Sequence, residues 1–289
     1  MRFRGKLVDT ACIQHFSRVL GTIAKLCKTC VLRITADKLY FILLEKVVSG
    51  GTHTWCEVTQ SHFFDEFMLD GLSKEDNEIF LELVPENLLR AMKTAQVAKW
   101  IKIKLTKKHT PCLTVEVDLP TAIGLSRNVV HYISVTVLPK RLWSDYEEPE
   151  MPEFDVSIAL PALKLLRNVV DKMKSMSSYV IISANHNGEM KLLTETEVAL
   201  VCTYFKDLAN PTWKSGLDAH FFRSPHRSNV DKREFFDVKV DCKKLAQFLN
   251  VQQLCPSRVI CNLNANHLIH VTLLHDDFSL QYFMPAVVS

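Results

Sequence analysis

Short runs of alternating apolar and polar residues repeatedly give way to stretches in which apolar residues recur every three or four positions. The sequence therefore predicts strands that feed into amphipathic helices. This happens four times, at Val8-Asp9, Val84-Pro85, Leu160-Pro161 and Val240-Asp241, spaced 76, 76 and 80 residues apart. Asp accepts from the free amides of a first turn, and Pro has no amide to leave unpaired there, so both start helices for physical reasons. The pattern predicts helices over 9–28, 85–99, 161–175 and 241–252. Alternation returns after each, at Val31–Thr35, Trp100–Leu105, Tyr179–Ser183 and Arg258–Leu263, then turns back as a second strand. The turns are Ala36–Lys38, Lys108–Thr110, Asn187-Gly188 and Asn264–Asn266. Asn187-Gly188 suits a type I′ hairpin, because both residues tolerate positive φ. The repeating unit is strand, helix, antiparallel strands.

Between the second and third units the pattern fails. Pro139, Pro149 and Pro152, with Asp145, Glu147, Glu148, Glu150 and Glu153, predict an extended connector. The expected organisation is an N-terminal domain over 1–138, a connector over 139–154 and a C-terminal domain over 155–289. A second aperiodic stretch, about 210–232, reads as a mobile loop. The fold class is α+β, two similar domains of two strand-helix-strand units each. At 289 residues, with 47% apolar and 23% charged residues, the chain can build two cores and is not wholly disordered. The longest aliphatic and aromatic run, Leu39–Leu44, falls far short of the ~20 residues that span a bilayer. Asp9 interrupts any leader-like segment after Arg2, Arg4 and Lys6, so a soluble, unprocessed, intracellular protein is expected. Nine cysteines without a framework of spacings fit a reducing compartment.

Net charge is only +3, so its placement matters more than its size. The four predicted helices hold twelve basic residues against four acidic ones, a net +8, and leave the rest of the chain at −5. On the first helix Ile13, Phe16, Val19, Leu20, Ile23 and Cys27 form the apolar stripe, with Gln14, Arg18, Lys25 and Lys28 nearly opposite. The third sets Ala162, Leu166, Val169, Val170 and Met173 against Lys164, Arg167 and Lys174. Lys and Arg on the wet face of any one helix are unremarkable. A bias of one sign on all four, with an acidic remainder, points to a long anionic partner. No glycine-rich phosphate cradle opens these helices, and few aromatic residues interleave with the cations. The expectation is contact with the phosphate backbone without sequence readout, through Arg18, Lys25, Lys28, Arg90, Lys93, Lys164, Arg167, Lys172, Lys174, Lys243 and Lys244.

Catalytic motifs are weak. Cys27, Cys30, His53 and Cys56 have zinc-ligand chemistry, but Cys27 falls on the apolar helix face and Cys30 enters a strand. His275-Asp276-Asp277 has no second cluster of recognisable spacing, and there is no Gly-x-Ser-x-Gly elbow. No cofactor, metal or enzymatic activity is expected.

Four such units, joined by a connector and carrying basic helices, resemble the DNA sliding-clamp family. Met1–Asp9, Ile23–Cys30, Arg90–Gln96, Tyr204–Pro211 and Leu280–Pro285 are similar to the hydroxyurea-sensitivity subunits of the nine-one-one checkpoint clamp. The resemblance implies a ring of three subunits and six domains, with sheets outside and helices facing a hole that holds double-stranded DNA. It implies a non-catalytic subunit in a 1:1:1 heterotrimer with two sister checkpoint subunits. Such a ring is loaded by an ATP-driven clamp loader, supports damage-checkpoint kinase activation and tethers repair enzymes. It also implies a nuclear protein with a cytoplasmic pool before assembly, and no membrane partner. Clamps receive partner peptides beside the connector and C-terminal segment, which here contain Leu142, Trp143, Tyr146, Tyr282, Met284 and Pro285. Trp143 either contacts a partner or packs back onto its own domain. Two other readings stay open: a homotrimeric replicative processivity clamp, and a metal-dependent nuclease built on Asp276 and Asp277.

Overall fold

The structure is a computed structural model of the chain and describes residues 1–44, 51–121, 125–211 and 231–287. Helices form at all four predicted junctions. β1 (Arg2–Leu7) leads into α1 (Thr10–Leu26), and β6 (Ile79–Leu83) into α2 (Pro85–Lys93). β11 (Val156–Ala159) leads into α3 (Leu163–Lys174), and β15 (Phe236–Asp241) into α4 (Cys242–Phe248). Asp9 caps α1, its Oδ1 accepting from the Ala11 amide at 2.7 Å. Asp241 Oδ1 does the same on α4 for Lys243 and Lys244, at 2.7 and 3.0 Å. Pro85 occupies the first turn of α2.

The helix ends differ from expectation. Pro161 lies outside α3, whose N-cap is Ala162, so the buried face shifts to Leu163, Leu166, Val170 and Met173. α2 stops at Lys93, because Thr94 folds back and its Oγ1 donates to the Ala91 carbonyl at 2.7 Å. α4 stops at Phe248 and tightens into a 3₁₀ turn over Leu249–Leu254, closed by Cys255 at φ 48°. α1 ends at Leu26, which joins its buried face in place of the half-buried Cys27.

The chain divides into two compact units. The first comprises Met1–Leu43, Trp55–Glu147 and Asp277–Ser279; the second comprises Leu44–Thr54, Glu148–Asp276 and Leu280–Ser289. The remaining strands of the first unit are β2 (Cys30–Ile34), β3 (Lys38–Leu44), β4 (His53–Thr59), β5 (Glu66–Asp70), β7 (Trp100–Lys107), β8 (Pro111–Pro120), β9 (Ser126–Ser134) and β10 (Thr136–Val137). They build one antiparallel order β5-β1-β7-β8-β9 and another β10-β6-β2-β3-β4. α1 therefore carries the chain from one sheet to the other and α2 carries it back. The first strand of each repeat pairs with the post-helix strand of the other, as in Arg4↔Lys104 and Arg33↔Phe80.

The second unit repeats the scheme with β12 (Tyr179–Ala184), β13 (Met190–Glu195), β14 (Leu200–Phe205), β16 (Arg258–Asn264), β17 (Leu268–Leu274) and β18 (Phe278–Pro285). Its orders are β14-β13-β12-β15 and β18-β17-β16-β11. Cross-repeat pairs are Ile181↔Lys239 and Ile158↔Cys261. The β12–β13 turn is wider than a two-residue type I′ hairpin. The Asn185 amide donates to the Glu189 carbonyl at 3.1 Å, and Asn185 Oδ1 accepts from the Asn187 and Glu189 amides, both at 3.0 Å. Gly188 has φ 73°, while Asn187 is not among the residues of positive φ. Asn266, at φ 60°, makes the β16–β17 turn. Of the stretch expected to be a mobile loop, 212–230 lies outside the described residues.

The connector is not extended throughout. Lys140–Tyr146 form a 3₁₀ helix docked on the first unit, because its aromatic residues find apolar cover. Trp143 stacks on Phe80 with centroids 4.6 Å apart, and its Nε1 donates to the Leu138 carbonyl at 3.1 Å. Trp143 and Tyr146 pack against a cluster of Val31, Ile42, Trp55, Phe80 and Leu138.

Candidate nucleic-acid interface

In the first unit α1 and α2 pack together. Gln96 Nε2 donates to Ser17 Oγ at 3.2 Å, and Gln14 Nε2 donates to the Gln96 carbonyl at 3.4 Å. Burying Ile13, Phe16, Val19, Leu20, Leu88, Leu89 and Met92 turns the polar residues of both helices outward. Arg18, Lys25, Arg90 and Lys93 are exposed on those helices. Lys28 is also exposed, but it lies beyond the end of α1. Arg90 Nε is 3.4 Å from Glu86 Oε1, one turn away.

In the second unit α3 and α4 form the corresponding pair. Lys164, Lys172, Lys174 and Lys243 are exposed, while Arg167 and Lys244 are half-buried. A shallow groove of about 450 Å³ runs between the helices, lined by Arg167, Asp171, Lys174, Lys243, Gln247 and Asn250. Asp171 Oδ2 is 3.5 Å from Arg167 Nε, and its Oδ1 is 3.3 Å from Lys174 Nζ. At the start of α4, burial pushes the Cys242 thiol up to about 11, with the Asp241 carboxylate adding and Lys174 opposing. Gln247 and Asn250 escaped the sequence reading, which counted charges. Their spacing from Lys243, one and two helical turns, was the available signal.

The residues expected to receive partner peptides separate into two groups. Leu142, Trp143 and Tyr146 are half-buried in the 3₁₀ helix, and Pro285 is half-buried at the end of β18. Tyr282 and Met284 are 3% and 1% exposed. Tyr282 stacks on Phe248 at 4.8 Å, so these two side chains belong to the core of the second unit.

Cys30 and Cys56 are buried, and burial raises the Cys56 thiol far above its ordinary range. For Cys30 the rise comes first from a hydrogen bond with Cys27 and then from burial. Asp277 sits between two imidazoles, with His15 Nδ1 3.2 Å from one oxygen and His62 Nδ1 3.0 Å from the other.

Paired helices that each bridge two antiparallel sheets, twice over, make the fold of the DNA sliding clamps. The proliferating cellular nuclear antigen of Entamoeba histolytica matches with a TM-score of 0.69 at 12% identity, over 99% of this chain and 99% of that one. The corresponding antigen of Thermococcus kodakaraensis matches at 0.67 and 13%, over 98% and 99%. Within that class the chain belongs to the Hus1-like family, whose model matches residues 1–288. It is 50% identical over 288 residues to human checkpoint protein HUS1, covering 99% of this chain and 100% of that protein. It is 28% identical over 277 residues to checkpoint protein hus1 of Schizosaccharomyces pombe, covering 96% and 94%.

Proposed function

We propose that the chain is a non-catalytic subunit of a checkpoint sliding clamp that encircles duplex DNA at damage sites. In that ring it supports activation of the damage-checkpoint kinase and tethers repair enzymes. The observation that carries the reading is the excess of exposed cations over acids on both helix pairs, α1 with α2 and α3 with α4, in a member of the Hus1-like family. Those cations meet phosphates without reading bases, and enclosure supplies the retention that weak contacts lack, so the ring slides. The DNA-facing set is Arg18, Lys25, Lys28, Arg90, Lys93, Lys164, Arg167, Lys172, Lys174, Lys243 and Lys244.

The functional domains are 1–138 and 155–289, joined by 139–154. Two sister checkpoint subunits complete a 1:1:1 ring, and an ATP-driven loader opens it. The protein works in the nucleus and passes through a cytoplasmic pool before assembly. Edge strands β9 and β14 suit the subunit contacts, because exposed apolar residues gather there: Leu125, Val130 and Tyr132 at one, Val198, Leu200 and Tyr204 at the other. A head-to-tail contact of unlike edges closes into a ring instead of growing without limit. Leu142, Trp143, Tyr146 and Pro285 are the residues for partner peptides.

Changing Lys25, Lys93, Arg167 and Lys243 together to Glu tests the assignment. The variant ring is expected to assemble yet hold DNA more weakly, with a salt dependence shallower by ~0.9 log units for each phosphate that is no longer neutralised. An intact variant ring that binds DNA as the wild type does would overturn it.

A further inference from the structure

In the groove between α3 and α4 one carboxylate spans two of the cations. Asp171 places an oxygen 3.5 Å from the Arg167 guanidinium and the other 3.3 Å from the Lys174 ammonium, with Lys243 on the facing wall. A guanidinium and an ammonium sharing two oxygens of one anion is also how such cations grip a phosphodiester. All three side chains are a third to two-fifths exposed, and ion pairs at that exposure are weak enough for an incoming anion to displace. The two pairs are intrahelical, at i,i+4 and i,i+3, and such exposed pairs add only weakly to the stability of a helix. Asp171 is three residues from the end of α3, where the helix dipole disfavours negative charge. Asn250 Nδ2 is committed to the Ala246 and Gln247 carbonyls at 3.3 and 3.0 Å, so it forms a fixed wall.

We infer that Asp171 is a built-in competitor for DNA phosphate. In the free protein its carboxylate occupies the cationic groove, and a backbone phosphodiester takes its place against Arg167, Lys174 and Lys243. The inference rests on the proposed DNA-facing role of these helices and adds a residue that sets how tightly they hold. A groove that must first release its own anion binds phosphate loosely and exchanges it quickly, as continued sliding requires.

The test compares rings assembled with the two sister subunits from full-length wild type, Asp171→Asn or Lys243→Glu for binding to a short fluorescent duplex by anisotropy across a salt series. Circular dichroism checks each fold, and Asp171→Ala serves as a second neutral variant. Both neutral variants should tighten binding by roughly 3–10-fold at low salt and steepen the salt dependence by about one log unit. Adding Lys174→Gln to Asp171→Asn should abolish the gain. If the neutral variants bind as wild type while Lys243→Glu weakens binding, the competitor role is wrong and the DNA-facing reading stands. If none of the changes moves the affinity, DNA does not meet this groove and both fail.

Discussion

His270 lies buried between two aromatic rings of the second unit, Phe154 with centroids 5.5 Å away and Phe283 at 4.4 Å. Its Nδ1 faces the Asn262 amide nitrogen at 3.0 Å and therefore accepts. Its Nε2 carries the proton toward Gln281 Oε1 at 3.2 Å, and Gln281 Nε2 donates on to Glu148 at 2.8 Å. A second proton on Nδ1 would point at a donor. Burial lowers the pKa to about 3, against the opposing pull of Gln281. Between that value and the ordinary 6.5 the unfolded chain holds a proton that the folded one refuses. Stability is thus complete above about pH 6.5 and falls on acidification, by up to ~1.4 kcal/mol per pH unit. His53, lowered by burial to about 4, acts in the same direction. Urea midpoints from about pH 7.5 to about pH 5 should show the decline, and His270→Gln should flatten it; an unchanged slope would show that His270 does not carry it. Gly188 is a second sensitive position. At φ +73°, an added Cβ would run into the Leu208 carbonyl oxygen, so Gly188→Ala should cost roughly 1–3 kcal/mol in chemical denaturation.

Helices and strands were legible where the cue is local. Asp9, Pro85 and Asp241 mark their helix starts because capping is chemistry within one turn. Pro161 misled by two residues, since a proline can also sit just ahead of the cap. Tyr282 and Met284 misled for a deeper reason. β18 is a nearly continuous buried run, and without alternation a sequence cannot say that no side is wet. Trp143 was ambiguous until Phe80, more than sixty residues earlier, supplied its stacking partner. The basic faces were visible from composition, but the engagement of Asp171 with two cations required side-chain distances. At this scale the β14 edge makes a direct prediction. Leu200→Asp with Tyr204→Asp, at 61% and 65% exposed positions, should leave the circular dichroism spectrum unchanged and break one subunit interface. Normal assembly of that variant would exclude β14 from the ring contacts.

For the molecule as a whole, the first measurement is light scattering on a sizing column. The chain alone is expected near 33.1 kDa, and a one-to-one-to-one complex is expected on mixing with the two sister subunits. A self-trimer indifferent to those subunits would favour the replicative-type clamp instead. The pairing of strands across repeats also bears on how the chain is made. Arg4 finds its partner in Lys104, and β2 finds β6, so neither half of the first unit has a complete sheet of its own. At ~5–20 residues per second, β1 waits several seconds on the ribosome for β7, and β2, though paired at once with β3, waits for β6. During that interval the apolar face of α1 has little to cover it. A chain arrested within the first repeat is therefore a client for chaperones and proteases, and the smallest heritable piece of this architecture is the pair of repeats.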